Sequence, residues 1–359
     1  MRIAILTHGI SPFGHFYVQA FARAGHEAAV LSLTPSEQKW PGTTMRVVGP
    51  PGFRPWQTPT RWIYLKTIRP VRRAVREIRP DIVFGLYLSS GGLLACLSGH
   101  PHIAVSAHGS DVNTRIGSRL WRRIFRWQAR RACVVHAVSD GLADTLARDF
   151  GLDRGRIIVS PIGVDPDELG YVDPAARPNA GRIVCTRAHV PVYDQPTLVR
   201  ALKRLRDGGV ACHLVYASAR NEELTRPLVR KMGLDEAVTF LGGYAFEELP
   251  GILGGADVYV SAATSDGTSQ SLLEAMSTGT FPVVTDIPAN RPWVEHERNG
   301  LLFPPGDDAA LAECLARAFD DADLRARAAP INRRIVLEKA DSLKGAETLL
   351  AAFEQCLRD

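Results

Sequence analysis

No run in this sequence is apolar and uncharged for long enough to span a bilayer. The longest uncharged stretch, Ile82 to Gly99, is broken by Ser89-Ser90-Gly91-Gly92 and reads as strand, turn and helix start. The first seven residues, Met1 to Thr7, hold too short an apolar run for a secretory signal. Cysteine is sparse and scattered: Cys96, Cys133, Cys185, Cys212, Cys314 and Cys356 form no C-x-x-C pair and no local cluster with histidine. Neither a zinc site nor a disulfide framework is expected, and reduced thiols in a cytoplasm fit this usage. The chain also lacks solenoid-period repeats and low-complexity tracts. These absences leave an ordinary soluble, cytoplasmic globular protein, at most peripheral at the inner face of a membrane.

What is present is enough chain for two cores. The 359 residues are 45% hydrophobic and 23% charged, and the length suggests two domains. The formal net charge of +5 is unevenly spread. Residues 1–170 carry 22 basic against 12 acidic side chains, and residues 171–359 carry 21 against 26. The basic first half calls for an anionic partner: a membrane surface, nucleic acid or a phosphorylated acceptor.

Short apolar runs alternate with helical patterns. Expected strands are Arg2–Thr7, residues 28–32, Ile82–Leu86, residues 102–106 and residues 134–138 in the first half. Residues 183–186, 213–217, 237–241 and 258–262 and Phe281–Thr285 follow in the second, with helix-length segments such as residues 16–24, 141–150 and 197–206 between strands. This alternation predicts an α/β protein with doubly wound parallel sheets. The pattern pauses at residues 171–182, rich in Pro, Ala, Asp and Asn, which reads as a linker between a first domain (1–170) and a second (183–340). Residues 341–359 read as a C-terminal helix able to pack back on the first domain. Ligands of such sheets sit beyond the carboxyl ends of the strands.

The most informative segment runs from Ser265 through Asp266, Gly267, Thr268, Ser269, Gln270, Ser271, Leu272, Leu273 and Glu274 to Met276, between two strand patterns. It reads as strand, small-residue turn, and a helix starting near Ser269. Thr268 and Ser269 are good N-caps, and the free amides of a helix start favour anions and sugar hydroxyls. Asp266 in the turn and Glu274 on the second helical turn could each hold a vicinal diol; from spacing alone, a turn residue and a solvent-facing carboxylate are equally good accounts.

The segment resembles the E-x7-E signature of the family-4 retaining glycosyltransferases, with Asp266 in the first position and Glu274 in the second. The resemblance implies a GT-B fold: two Rossmann-like domains facing a central cleft. It further implies transfer of a sugar from a UDP- or GDP-linked donor to a hydroxyl acceptor, with retention and with no metal or cofactor. In that family the first carboxylate meets the donor sugar and the second the ribose. Arg187, after the strand at 183–186, matches an arginine that meets the diphosphate; the lysine usually found six residues later is replaced by Tyr193. Val238 to Tyr244 resembles the strand and loop that read the base, which places Gly243 and Tyr244 there, with covering the core as the other use of Tyr244.

In the first half, His8 to His15 is a glycine-bearing loop before a helix; Gly14 matches the family's loop glycine, and His15 stands beside it on the acceptor side. His108-Gly109-Ser110-Asp111 follows a strand and resembles the family's H-G element. It implies contact of His108 with the donor sugar near the reacting carbon. Asp111 would orient His108, receive an acceptor hydroxyl or cap a helix. His136 to Asp140 closes this domain with Ser139 as a helix cap, and Pro161 to Asp165 resembles the family's hinge. Two basic stretches, Arg61 to Arg79 and Arg119 to Arg131, interleave aromatics with arginines. Either they form interfacial helices drawn to anionic lipid, or they are solvated basic faces packed through their aromatics. No nucleic-acid motif is present. An epimerase of the same architecture and a non-catalytic sugar-nucleotide binder are the rival functional readings.

Overall fold

A computed structural model describes residues 1–9, 12–35, 43–50, 62–177 and 181–359. The chain divides into two compact units: residues 1–162 with 342–359, and residues 163–341.

The first unit is built on seven parallel strands: β1 (Arg2–Thr7), β2 (Glu27–Ser32), β3 (Thr44–Val47), β4 (Ile82–Leu86), β5 (Ile103–Ala107), β6 (Val134–Ala137) and β7 (Ile157–Val159). Their order is β3-β2-β1-β4-β5-β6-β7. β1, β4 and β5 are buried along nearly their whole length, because helices cover both faces and every side chain must be apolar or internally bonded. The helices used below are α1 (Pro12–Arg23), α2 (Trp62–Ile78), α3 (Arg119–Arg131) and α4 (Asp140–Phe150). Ser139 caps α4 through Leu142 N, as its residue type predicts.

The second unit repeats the design with six parallel strands: β8 (Arg182–Cys185), β9 (His213–Tyr216), β10 (Val238–Phe240), β11 (Val258–Ser261), β12 (Phe281–Thr285) and β13 (Leu301–Phe303), ordered β10-β9-β8-β11-β12-β13. Its helices include α5 (Gln195–Asp207), α6 (Gln270–Ser277), α7 (Asp308–Asp320) and α8 (Ala322–Lys339). One core layer packs β8, β9 and β11 against α5 and α7 through residues such as Leu198, Leu202, Leu311 and Leu315. The opposite layer joins Tyr259, Leu272, Met276 and Val336. In each sheet the order reverses beside the first strand, between β1 and β4 and between β8 and β11. That switch point leaves a crevice at the strands' carboxyl ends.

Two sequence expectations need correction. The chain crosses between units at Ile162/Gly163, and not along 171–182. The described part of that stretch is packed on the second unit. Arg177 donates to the carbonyls of Ala256 (2.9 Å), Val172 (2.9 Å) and Thr278 (2.7 Å), and Val172 N bonds Thr278 O. One arginine satisfying several loop carbonyls makes an aperiodic segment rigid; residues 178–180 lie outside the described set.

The chain crosses back at Asp341/Ser342, where α9 (Ser342–Arg358) joins the first unit. Its Phe353 is wholly buried against Phe84 and Phe21, with ring centroids 5.3 and 5.9 Å apart. A disulfide joins Cys356 of α9 to Cys133 at the foot of β6, with Cα atoms 5.7 Å apart, so the expectation of six reduced thiols does not hold. A sequence separation of 223 hid a pair that only the docking of α9 brings together. Cys96, Cys185, Cys212 and Cys314 are free thiols.

Candidate active site

In the second unit the chain leaves β8 and turns into Arg187, while β11 leads into Asp266 and the start of α6. These two loops flank the switch point, so the fold itself brings together residues 79 apart in sequence. Arg187 is buried, only 8% exposed. Its Nη2 donates to Asp266 Oδ2 at 2.5 Å and its Nη1 to Ser271 Oγ at 3.0 Å, with a longer contact to Ser269 Oγ at 3.4 Å. The guanidinium carbon lies over the ring of Tyr193, 3.8 Å from its centroid. An aromatic ring thus stands where the family resemblance predicts a second cation, and it packs against the first. Tyr259 OH donates to Ser271 Oγ at 2.8 Å and holds that serine in turn.

Ser269 caps α6 by accepting from Leu272 N, and Gln270 Nε2 donates to Gly163 O. Leu272 is core. Asp266 Oδ1 accepts from Gly267 N at 2.9 Å, so the expected sugar-binding carboxylate is engaged at both oxygens, chiefly with Arg187. Thr268 is half-buried in the same turn. Glu274 is 7% exposed, and burial pushes its carboxyl up to about 7, against the pull of Arg187. Tyr244 packs on the adjacent core cluster; burial first, then the neighbouring Glu274, raises its phenol. Gly243 is exposed in the loop before it. The structure therefore gathers Arg187, Asp266, Ser269 and Ser271 into one contact set, with Glu274 and Tyr244 beside it.

In the first unit, β4 ends in one wide turn of π-helix, Tyr87–Gly92, of a kind that often marks functional sites. Tyr87 opens it with φ 62°, a conformation costly for a residue with a side chain. A side chain at Gly91 would strike the carbonyls of Leu6 and Leu86, so only glycine permits this close approach. His108 follows β5, 6% exposed, with its ring 4.6 Å from that of Tyr87. Burial, then the neighbouring His136, holds His108 well below the usual imidazole range.

The Asp111 carboxylate serves backbone amides. Its Oδ1 accepts from His108 N (3.0 Å) and its Oδ2 from Leu88 N (2.6 Å), clamping the turns after β5 and β4 together. Burial raises this carboxyl to about 6, against four backbone amides that favour its ionised form. Gly109, at φ 110°, allows the intervening bend. Gln128 of α3 completes the frame by donating to Leu88 O at 2.8 Å.

Gly14 and His15 were expected in or beside a loop, but both lie in the first turns of α1, which begins at Pro12. Proline suits that position because its fixed φ and missing N–H cost a helix start nothing. Gly14 is buried and His15 half-buried; residues 10–11 lie outside the described set. Sequence reading passed over Tyr87, Ser106, Tyr259 and the packing role of Tyr193. A non-glycine residue after a strand and before Ser-Ser-Gly-Gly was the one available signal for Tyr87.

The basic segments are in part structural. In α3, Trp121, Phe125 and Gln128 are buried, while Arg122 and Arg126 donate to the carbonyls of Asp149 and Phe150 at the end of α4. Leu120 (46%) and Trp127 (40%) stay exposed beside Arg123 and Arg130. In α2, Leu65 is 54% exposed, next to Lys66 in sequence and one helical turn before Arg69. Arg61 and the Trp62 side chain lie outside the described set. No described helix is long and apolar enough to cross a membrane. Among the described residues no group of three or more His, Cys, Asp or Glu is arranged to hold a metal ion.

Residues 15–168 match the family model described as Glycosyltransferase Family 4, and residues 181–321 that described as Glycosyl transferases group 1. The chain is 30% identical over 278 residues to a 2-deoxystreptamine N-acetyl-D-glucosaminyltransferase of Streptomyces fradiae, covering 69% of this chain and 65% of that protein. It is 29% identical over 249 residues to a GDP-mannose-dependent alpha-(1-6)-phosphatidylinositol monomannoside mannosyltransferase of Mycobacterium tuberculosis, covering 64% and 63% respectively. It thus spans just under two thirds of the length of these relatives. Among solved structures, sucrose-phosphate synthase from Thermosynechococcus elongatus superposes with a TM-score of 0.80 at 17% identity over 100% of this chain and 99% of that one. Anabaena HepE in complex with UDP-glucose gives 0.77 at 16% identity over 99% and 100%. With both family matches falling on doubly wound sheets that share one strand order, the chain belongs to glycosyltransferase family 4 and has the GT-B fold.

Proposed function

We propose that this protein transfers a glycosyl group from a nucleoside diphosphate sugar, UDP- or GDP-linked, to a hydroxyl of an acceptor, with retention of configuration. The observation that carries this reading is the buried guanidinium of Arg187, packed over Tyr193 at the switch point beside the start of α6. A planar fork of donors next to a helix N-terminus suits a diphosphate. Glu274 would hold the ribose and Tyr244 with Gly243 the base. Asp266 would exchange Arg187 for hydroxyls of the donor sugar once phosphate arrives.

On this reading the bond from the anomeric carbon to the diphosphate oxygen breaks through an oxocarbenium-like state. Arg187 and the amides at the start of α6 meet the charge on the departing oxygens, without a bound divalent cation. That phosphate accepts the acceptor's proton as its hydroxyl attacks from the same side. His108, within the first unit, is assigned to substrate contact. The relatives named above transfer N-acetylglucosamine and mannose, which supports a hexosyl donor.

Incubation with UDP-, GDP- and ADP-sugars tests the proposal. The expected result is thermal stabilisation by one donor class and slow release of free nucleoside diphosphate. An altered sugar on intact nucleotide, or stabilisation without any turnover, would overturn it in favour of epimerisation or binding alone.

The exposed Leu120, Trp127 and Leu65 among basic side chains support peripheral docking on an anionic leaflet, at about 1 kcal/mol per basic residue near the surface. Co-sedimentation with liposomes should rise with the fraction of anionic lipid and fall with salt. Binding that ignores lipid charge would remove the idea.

A further inference from the structure

Behind His108 runs a chain of hydrogen bonds whose direction can be read from its far end. His136 Nε2 lies 2.9 Å from the carbonyl oxygen of Ser160. A carbonyl only accepts, so this nitrogen carries hydrogen and donates. His136 is wholly buried, and burial holds it near 4, so the ring is neutral and its Nδ1 bears a lone pair. Ser106 Oγ stands 2.7 Å from that Nδ1 and must donate to it. The single hydroxyl hydrogen of Ser106 is then committed, and its oxygen is left to accept. His108 Nε2, 3.0 Å away, therefore donates to it.

The backbone builds this line. Ser106 and His136 are direct partners in the β5–β6 register, and Ser106 and His108 are two residues apart, on one side of the chain. Tyr17 of α1 sets its ring edge-on to both imidazoles, at 6.2 and 6.4 Å, and closes the cluster to solvent. Its hydroxyl faces Ser106.

We propose that Ser106 and His136 are positioning residues that hold His108 as its Nε2–H tautomer, so that any group reaching Nδ1 of this ring meets a hydrogen-bond acceptor. The proposal rests, for its functional meaning, on the reading of His108 as a substrate contact. His108 then accepts a hydrogen bond from a hydroxyl of the sugar or the acceptor. It is not a proton donor to that group. A ring in the wrong tautomer loses function even where its position is unchanged.

The test is nitrogen NMR of the histidine side chains in the full-length protein labelled with 15N-histidine, with His108 and His136 assigned from the spectra of His108→Asn and His136→Gln. At neutral pH both rings should show protonated Nε2 and bare Nδ1. In Ser106→Ala the His108 signals should move toward a mixture of tautomers, and Ser106→Thr should restore them. Turnover of Ser106→Ala should fall about ten- to a hundredfold with donor KM little changed, and recover in Ser106→Thr. A wild-type His108 protonated at Nδ1, or a spectrum indifferent to Ser106→Ala, overturns the proposal even in an active transferase. The expected spectrum in a protein that releases nucleoside diphosphate from no donor upholds the relay and sinks the transfer reading instead.

Discussion

Arg187→Ala lowers kcat by about a hundred- to a thousandfold and weakens binding of free nucleoside diphosphate as well. The magnitude is that of removing one preorganised charge partner from a departing oxyanion in a water-poor site. Arg187 is well organised for this: Asp266, Ser271 and the Tyr193 ring approach it from three directions before any ligand arrives. Arg187→Lys should recover little, because an ammonium offers neither the planar fork nor the group that packs over Tyr193. Asp266→Ala is expected to behave differently, with turnover falling more than nucleotide affinity, since the arginine is released to the phosphate while the sugar loses a partner. Steady-state kinetics with calorimetric titration of the nucleoside diphosphate separates these cases. Unchanged kcat in a folded Arg187→Ala protein would remove the site from consideration.

Glu274→Gln stabilises the protein above neutral pH and damages nucleotide binding. Burial lifts the Glu274 carboxyl from about 4.5 to about 7 in the folded state. Between those values the unfolded chain releases this proton while the native protein keeps it, so stability falls as pH rises through that window and levels off above it. A shift of that size corresponds to an upper figure on the order of 3 kcal/mol at pH 8, and to nothing below pH 4.5. Glutamine carries no charge and removes the penalty. Denaturant unfolding at pH 5 and pH 8 should therefore show Glu274→Gln gaining on wild type only at the higher pH. A variant less stable than wild type at pH 8 would refute this account. On the proposed reading, an ionised Glu274 would accept from both hydroxyls of a ribose, and stability would be exchanged for binding.

The strands at the centre of each sheet were legible because full burial demands unbroken apolar runs. Ile82–Leu86 and Phe281–Thr285 were bounded to the residue, and β1 likewise. The three strands passed over, β3, β7 and β13, are three or four residues long and lie at sheet edges. There one neighbour suffices, exposure is mixed and the periodic signal fades. The linker was misplaced for a related reason. Aperiodic composition marks the absence of a helix or strand, and says nothing of whether a buried arginine such as Arg177 ties the loop down.

In the candidate site, residue types that can grip a diphosphate or a diol were recognisable one at a time, and their placement after β8, β11 and β5 followed from strand alternation. Their pairings were not. That Asp266 is held by Arg187, that Tyr193 supplies a ring beneath it, and that Ser106 and His136 stand behind His108 are facts of proximity across strands.

The sequence by itself determined two doubly wound parallel sheets and their order along the chain, because both follow from local periodicity and the handedness of crossovers. Only the tertiary structure decided which side chains touch, that α9 returns to the first unit, and that Cys133 meets Cys356. Contacts across tens to hundreds of residues arise from the packing of whole elements, and no spacing within one element encodes them.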